Sequence, residues 1–396
     1  MRFSIIAIAV CLILNLLVDW YIFRYLVSEL RRRFWAHVQF WSAIIFALGL
    51  VALALVPLRS ASNSVFLIAM WVVYIYISVY AAKYIFVLFD SLGRLPVLWH
   101  RKKLRYMPGI GLVLGIAAFM ILWYGACIGR YQTSIKEVDV SFKDLPAGFD
   151  GYKIVQISDF HLGTYDTNTA FADKVVKKIN DLHPDAVMFT GDIVNRQTSE
   201  LKPFVSSLAA IKAPDGVFSI LGNHDYGDYF EWPDSTDKMK NLNDMKLLQK
   251  QMGWNLLTNK SAYIAKGSDS IVIVGVENIG EPPFNIYGDL KNAYPTPEDS
   301  KFKILLSHNP SHWLHDIANS GNNIDLTLSG HTHAMQMSFF GYSPAAMRYP
   351  TWGGLYGDES DKHKLYVNIG LGTVGFPSRI GAEPEITLIT LRRTKH

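Results

Sequence analysis

The chain has 396 residues, a formal net charge of +4, 50% apolar residues and only two cysteines. The charge is divided unevenly: residues 1–130 hold 13 Lys and Arg against 3 Asp and Glu, a net +10, and the remainder holds 25 against 31, a net −6. An acidic second part without a Lys/Arg stripe is a poor nucleic-acid binder, since non-specific affinity comes mainly from neutralising phosphates. Cys11 and Cys127 both precede residue 130, which excludes thiolate catalysis in the second part and leaves it without a disulfide.

Four apolar stretches lead the chain, at about 5–23, 41–56, 65–87 and 110–128. Each approaches the ~20 residues that cross a bilayer as a helix, and the second extends to 38–58 without meeting a charge. They are apolar all round, which predicts membrane spans and not amphipathic helices on a soluble core. Trp20, Tyr21, Trp35, Trp41 and Trp123 near the span ends fit interfacial anchoring. Lys83, late in the third span, is expected to snorkel to the surface. No single span pairs an Asp with a Lys, which argues against an ion pathway.

Arg24 and Arg31, Arg32 and Arg33 lie between spans one and two, and Arg94, Arg101, Lys102, Lys103 and Arg105 between spans three and four. The loop between spans two and three offers only Arg59. The positive-inside rule then puts both rich loops in the cytoplasm and both termini outside. Everything after span four is expected on the extracytoplasmic face. A cleaved signal peptide over span one would leave the Arg31 to Arg33 cluster outside, against that rule.

The domain boundary is expected near residue 130, dividing a transmembrane domain, 1–130, from a second domain, 131–396. Residues 138–142 read as an edge strand, and helices are expected at 170–182, 200–211 and 238–252. The first of these carries Phe171, Val175, Val176 and Ile179 on one face. Buried parallel strands are expected at 154–157, 186–189, 217–221, 304–306 and 326–328, with later strands at 271–276, 365–369 and 386–391.

A polar motif follows each of the five buried strands: Asp159-Phe-His161, Gly191-Asp192, Gly222-Asn223-His224-Asp225, Ser307-His308 and Gly330-His331-Thr-His333. All five thus lie at carboxyl ends of strands, the edge where open α/β sheets bind ligands. Carboxylates, imidazoles and one amide are ligands that suit Mn, Fe or Zn. Two such ions about 3.5–4 Å apart activate water against a phosphorus ester. Each motif alone is weak; their joint order and placement point to a two-metal site.

With these motifs the chain, from about residue 138 onward, resembles the calcineurin-like metallophosphoesterases. It is most similar to the membrane-attached bacterial branch, with Ser158-Asp-Phe-His-Leu-Gly163 and a late Gly370-Leu-Gly-Thr373 segment. The resemblance implies an α/β, four-layer metallophosphoesterase fold of two packed β-sheets flanked by helices, preceded here by an all-α bundle of four transmembrane helices. It implies that Asp159, His161 and His333 hold one divalent ion, that Asn223, His308 and His331 hold another, and that Asp192 bridges them, with manganese favoured over iron or zinc. It implies that His224 faces the substrate, stabilising phosphoryl charge or protonating the leaving group, with Asp225 orienting its ring.

Ala334 and Met335 stand where many relatives carry two glycines, so the substrate cleft is less securely implied than the metal chemistry. Arg379 is a candidate phosphate or headgroup contact. The aromatic and Met-rich segment 339–356 could form an apolar rim for a lipid. The expected activity is hydrolysis of a phosphate monoester, diester or pyrophosphate by an integral protein of the bacterial inner membrane, with a phosphorylated envelope lipid or a small-molecule ester as substrate and no nucleic-acid partner. The alternatives are a pyrophosphatase of the UDP-2,3-diacylglucosamine type, which needs a cytoplasmic active site, and a metal- or phosphate-binding sensor without turnover.

Overall fold

The computed structural model describes residues 5–28, 33–281, 285–296, 299–318, 320–358 and 362–394. Arg31, Arg32 and the start of the chain, on which part of the topology expectation rests, lie outside the described residues. Contacts divide the chain into two compact units, Met1–Cys127 with Gly375–Ser378, and Ile128–Val374 with Arg379–His396.

Among its described residues the first unit holds four helices long and apolar enough to cross a membrane: α1 (Ile5–Ile22), α2 (Arg33–Leu55), α3 (Asn63–Arg94) and α4 (Met107–Cys127). Helix α2 begins eight residues before the expected apolar stretch, since the polar residues ahead of Trp41 continue the same helix. Helix α3 has 32 residues, roughly 48 Å at 1.5 Å per residue and longer than the ~30 Å hydrocarbon core. Its last turns are polar: Asp90 accepts from Tyr21 at 2.7 Å and from Arg94 Nε at 2.6 Å, with Lys103 at 3.5 Å.

Close packing of α3 on α4 follows from Gly111 and Gly115, one turn apart on α4. A Cβ at Gly115 would stand 2.8 Å from the Ala82 carbonyl oxygen, so only glycine lets the two backbones approach. Trp123 donates to Ser78 Oγ at 3.2 Å between the same two helices, a contact inside the pair where an interfacial anchor is expected.

Lys83 departs from the snorkelling expectation. Its Nζ lies 2.7 Å from Asp19 Oδ1, and Asp19 also accepts from Tyr80 at 2.7 Å and Gln39 at 2.8 Å. The pairing runs between α1 and α3, so it could not be seen within one span. A carboxylate and an ammonium among apolar helices are costly apart, and mutual pairing with two further donors satisfies them. Cys11 and Cys127 are both free.

The described residues of the second unit form two six-stranded sheets. In chain order the strands are β1 (Ser134–Phe142), β2 (Lys153–Ile157), β3 (Ala186–Phe189), β4 (Val217–Ser219), β5 (Asn255–Leu256), β6 (Lys260–Lys266), β7 (Asp269–Gly275), β8 (Lys303–Leu306), β9 (Leu326–Ser329), β10 (Gly354–Gly357), β11 (Lys364–Val367) and β12 (Glu385–Arg393). One sheet has the order β1-β12-β2-β3-β4-β5 and the other β10-β11-β9-β8-β7-β6. The expected edge strand is β1, paired in parallel with β12.

Alternation along the strands builds the layers. Ala186 and Met188 of β3 point into a core shared with Ile304 and Leu306 of β8, so the sheets pack face to face. Val187 and Phe189 point to the opposite face and pack under α5 (Ala170–Asp181), where Phe171, Val175, Val176 and Ile179 are buried as the sequence pattern requires. Val272, Val274 and Leu305 pack against Trp313 and Ile317 on the far side of the second sheet. Both faces of each sheet are therefore covered, which is why these strands read as continuous apolar runs. The result is the four-layer arrangement expected of the fold.

Helix α6 (Ser235–Gln251) starts three residues ahead of the expected position, where the N-cap Asp234 accepts from Asp237 N–H at 2.9 Å. The expected helix at 200–211 is instead a series of single turns at Thr198–Glu200, Lys202–Phe204 and Val205–Leu208. Pro203 has no N–H to continue a helix. The Glu200 carboxylate is also committed elsewhere, accepting from Asn195 N–H at 2.6 Å.

Candidate metal centre

The carboxyl ends of β2, β3, β4, β8 and β9 converge, so both sheets contribute to one site. Each motif leaves its strand through an abrupt turn. Asp159, His161, Asp192, His331 and His333 all have positive φ, between 46° and 75°. For side chains with a Cβ this backbone is unfavourable, and its clustering marks a place where geometry has been kept at the expense of local preference. The glycines of the motifs are required by crowding: a Cβ on Gly222 would strike the Asp192 carboxylate, and one on Gly330 would strike Ser158 and Asp159.

Seven candidate ligand atoms face one another. His333 Nε2 lies 3.0 Å from His161 Nε2 and 3.2 Å from Asp159 Oδ1. Asn223 Oδ1 lies 3.0 Å from both His308 Nε2 and His331 Nδ1, which are 3.2 Å apart. Asp192 Oδ2 stands between the two sets, 3.2 Å from His308 Nε2 and 3.7 Å from His161 Nε2. For metal–ligand bonds of about 2.1 Å, neighbouring ligand atoms stand about 3.0 Å apart at an octahedral edge and about 3.4 Å apart in a tetrahedron. The donor set therefore fits two divalent cations in type and in spacing. Groups able to hold a metal are Asp159, His161 and His333; His161, Asp192 and His224; and Asp192, His308 and His331.

The surrounding hydrogen bonds fix which atom of each ring is offered. His308 Nδ1 donates to the Thr190 carbonyl at 2.8 Å, leaving Nε2 for an ion. His331 turns the other way: Nδ1 faces Asn223 and Nε2 meets the Tyr349 hydroxyl at 3.1 Å. Asn223 Nδ2 donates to the Tyr229 hydroxyl at 2.8 Å, which points its Oδ1 inward. Tyr229 also stacks on His224, with ring centroids 4.1 Å apart.

His224 Nδ1 is 2.6 Å from the Asn195 carbonyl oxygen, so the carbonyl, and not Asp225, orients the ring. Asp225 is fully buried and accepts from the backbone N–H groups of Asp192, Ile193 and Gly222 at 2.9 Å each. It ties the loop carrying Asp192 to the loop carrying Asn223. Arg379 is only 1% exposed. Its guanidinium donates to the carbonyls of Gly372, Ala382 and Ile369 and lies 3.3 Å from His333 Nδ1. It braces the loop beside a candidate ligand; no part of it is presented to a substrate.

The electrostatics follow from burial and proximity. Burial would raise the Asp159 carboxyl, but His333 beside it wins and holds it below the usual carboxylate range. Burial likewise opposes ionisation of Asp192, and His308 and His224 together hold it well below that range. Burial would lower His308, yet the Asp192 charge pushes it up to about 9, so an ion bound there must displace a proton. Burial lowers His331 to about 3, leaving it neutral. Burial also lowers His224 and His161, and raises Asp225 to about 7, where the Asp192 charge adds to the effect.

Sequence reasoning missed Tyr229, Tyr349 and the Asn195 carbonyl. The tyrosines lie in loops without a periodic pattern, and a backbone carbonyl leaves no mark on residue type.

The fold and site together define a calcineurin-like phosphoesterase. The family model described as "Calcineurin-like phosphoesterase" matches residues 152–335, and a second, "Probable Calcineurin-like phosphoesterase, transmembrane domain", matches residues 1–130. An uncharacterized metallophosphoesterase of Bacillus subtilis strain 168, YkuE, is 33% identical over 68% of this chain and 90% of its own length. A second uncharacterized metallophosphoesterase, from Campylobacter jejuni, is 30% identical over 74% of this chain and 71% of its own length. A "Transmembrane protein with metallophosphoesterase domain" from Danio rerio is 30% identical over 71% of this chain and 62% of its own length. The chain belongs to the calcineurin-like phosphoesterase family, as a membrane-associated member. The family uses a dinuclear divalent-metal site, and this chain has the residues to form one.

Proposed function

We propose that this protein is a two-cation phosphoesterase that hydrolyses a phosphate ester or pyrophosphate of a membrane-resident substrate on the extracytoplasmic face. The observation that carries the reading is the opposed pair of ligand sets, Asp159, His161 and His333 against Asn223, His308 and His331, with Asp192 Oδ2 facing both. Two divalent cations held there would supply Lewis-acid activation of water and neutralise charge gathering on the phosphoryl oxygens.

The chain's own groups divide the remaining work. Asp192 Oδ1 accepts the His224 N–H at 2.8 Å, so the residue facing both cation sites also fixes the position of His224. With Nδ1–H donated to the Asn195 carbonyl, the Nε2 atom of His224 is the one that faces a phosphoryl or leaving-group oxygen, and it passes that oxygen a proton from the doubly protonated ring, the form that the Asp192 charge favours against burial. Tyr229, stacked on the ring, limits its rotation.

The extracytoplasmic assignment rests on five basic residues, Arg94 at the end of α3 and Arg101, Lys102, Lys103 and Arg105 between α3 and α4, against Arg59 alone between α2 and α3. A substrate resident in the membrane is the economical reading, because four spans exceed what an anchor needs. The test is hydrolysis by purified protein in detergent with added manganese, comparing a lipid-linked pyrophosphate, a phospholipid and a soluble aryl diester. Preference for a lipid supports the reading, and cleavage of the soluble diester alone removes its membrane-substrate part.

A further inference from the structure

The segment that follows His333 is held at one end by Ile380, the neighbour of Arg379, and at the other by His331 of the candidate metal centre, and is turned outward between them. At its start, Ser338 N–H donates to the Ile380 carbonyl at 2.8 Å and Ile380 N–H to the Gln336 carbonyl at 3.0 Å. At its end, the Tyr349 hydroxyl meets His331 Nε2 at 3.1 Å. Between these anchors, Phe339 and Tyr342 exchange backbone hydrogen bonds of 2.8 and 3.0 Å and close a two-residue turn of Phe340 and Gly341.

Both central residues have positive φ, 52° and 83°. Such a turn favours Asn or Asp at its first central position, and Phe there is disfavoured by its own backbone. Yet Phe340 is fully exposed, Tyr342 is 80% exposed and Met347 93% exposed. Six of the twelve large apolar side chains exposed on the described residues of this unit fall between residues 335 and 355. A turn needed only to reverse the chain has no use for a strained, solvated Phe at its tip.

We propose that the Phe340–Gly341 turn, with Tyr342 and Met347, inserts into the lipid bilayer that the chain's own spans cross, and so presents the centre between His331 and His333 to phosphate esters embedded there. The inference rests on the function proposed above for its substrate, but not for the insertion itself. A bilayer is the occupant of choice because only residues 128–133 separate α4 from β1, so a lipid surface is always within reach of this domain. Residues 335–350 contain no Asp or Glu and one basic residue, Arg348, so an anionic lipid surface would not repel them. Phe, Tyr and Met ahead of a basic residue are the side chains that settle at the boundary between acyl chains and headgroups.

The test uses the full chain in nanodiscs of phosphatidylethanolamine and phosphatidylglycerol, with Cys11→Ala and Cys127→Ala removing the native thiols. A nitroxide on Phe340→Cys is expected to be relaxed by oxygen more than by a water-soluble nickel chelate, with the reverse at Met239→Cys, which is 59% exposed on α6. Nickel accessibility equal to that of Met239→Cys, or shielding from both agents as at a protein contact, would overturn the proposal. In parallel, Phe340→Ser with Met347→Ser should lower turnover of a bilayer-embedded ester about tenfold and leave a soluble diester unchanged; equal rates on the embedded ester would count against it. The nitroxide readout needs no turnover, so failure of the insertion and failure of the proposed activity are told apart.

Discussion

At the scale of single residues, His224 offers the sharpest division of roles. It touches both the Asn195 carbonyl and, through its N–H, the Asp192 carboxylate, but its ring lies outside the two sets of three. His224→Ala should therefore lower turnover about 100- to 10,000-fold, the range for loss of a general acid, while two ions per chain are retained, as elemental analysis would show. Loss of metal along with activity would instead make His224 a ligand. The seven ligand candidates were legible in the sequence because metal chemistry dictates residue type at fixed places. The orientation of His224 was not, because the orienting group is a carbonyl that any residue could supply. Asp225 was legible as important, and its task was not: a buried carboxylate facing four backbone N–H groups looks in sequence like any turn residue.

At the scale of elements, the segment 195–204 shows how one side chain overrides a periodic pattern. The apolar spacing suggested a helix, but Glu200 turns back to the Asn195 and Arg196 N–H groups and Pro203 interrupts the backbone ladder. Burial pushes the Glu200 carboxyl up to about 7. The folded state thus holds a proton that the unfolded state releases at ordinary carboxylate pH. The stability from this group is fully present below its unfolded pKa and is lost as pH rises through about 7. Glu200→Gln should flatten the fall in melting temperature between about pH 4.5 and 7, and an unchanged slope by circular dichroism would contradict this assignment.

The membrane helices repeat the lesson. Length and hydropathy gave four spans, but pairings between spans, such as Asp19 with Lys83, carry no one-dimensional signature. Asp19→Ala leaves the ammonium without its carboxylate and should destabilise the α1–α3 pairing by about 3–5 kcal/mol, read as an earlier thermal transition in detergent. An unchanged transition would mean that Lys83 is satisfied elsewhere.

At the scale of the whole molecule, the layered fold was legible because each buried strand alternates between two covered faces and so reads as an unbroken apolar run. The division of those strands between two sheets, which brings β2, β3 and β4 to meet β8 and β9, came from the family resemblance; local pattern alone gives only a layered α/β domain. The convergence of the two sheets is what places one candidate ligand from each set, His308 and His161, within 3–4 Å of the Asp192 carboxylate. Sidedness belongs to this scale too. A reporter fused after the last strand that is active only outside the cytoplasm should be active, and a silent, stable fusion would reverse the topology.

The central claim is that this chain builds a two-cation hydrolytic centre around Asp192. The measurement that tests it most directly is elemental analysis and phosphodiester turnover on one preparation of the purified full chain, with Asp192→Ala beside it. Two divalent ions per chain are expected, with turnover abolished by chelation and restored by manganese, iron or zinc, and neither full occupancy nor turnover in the variant. Turnover that survives both chelation and loss of Asp192 would contradict it.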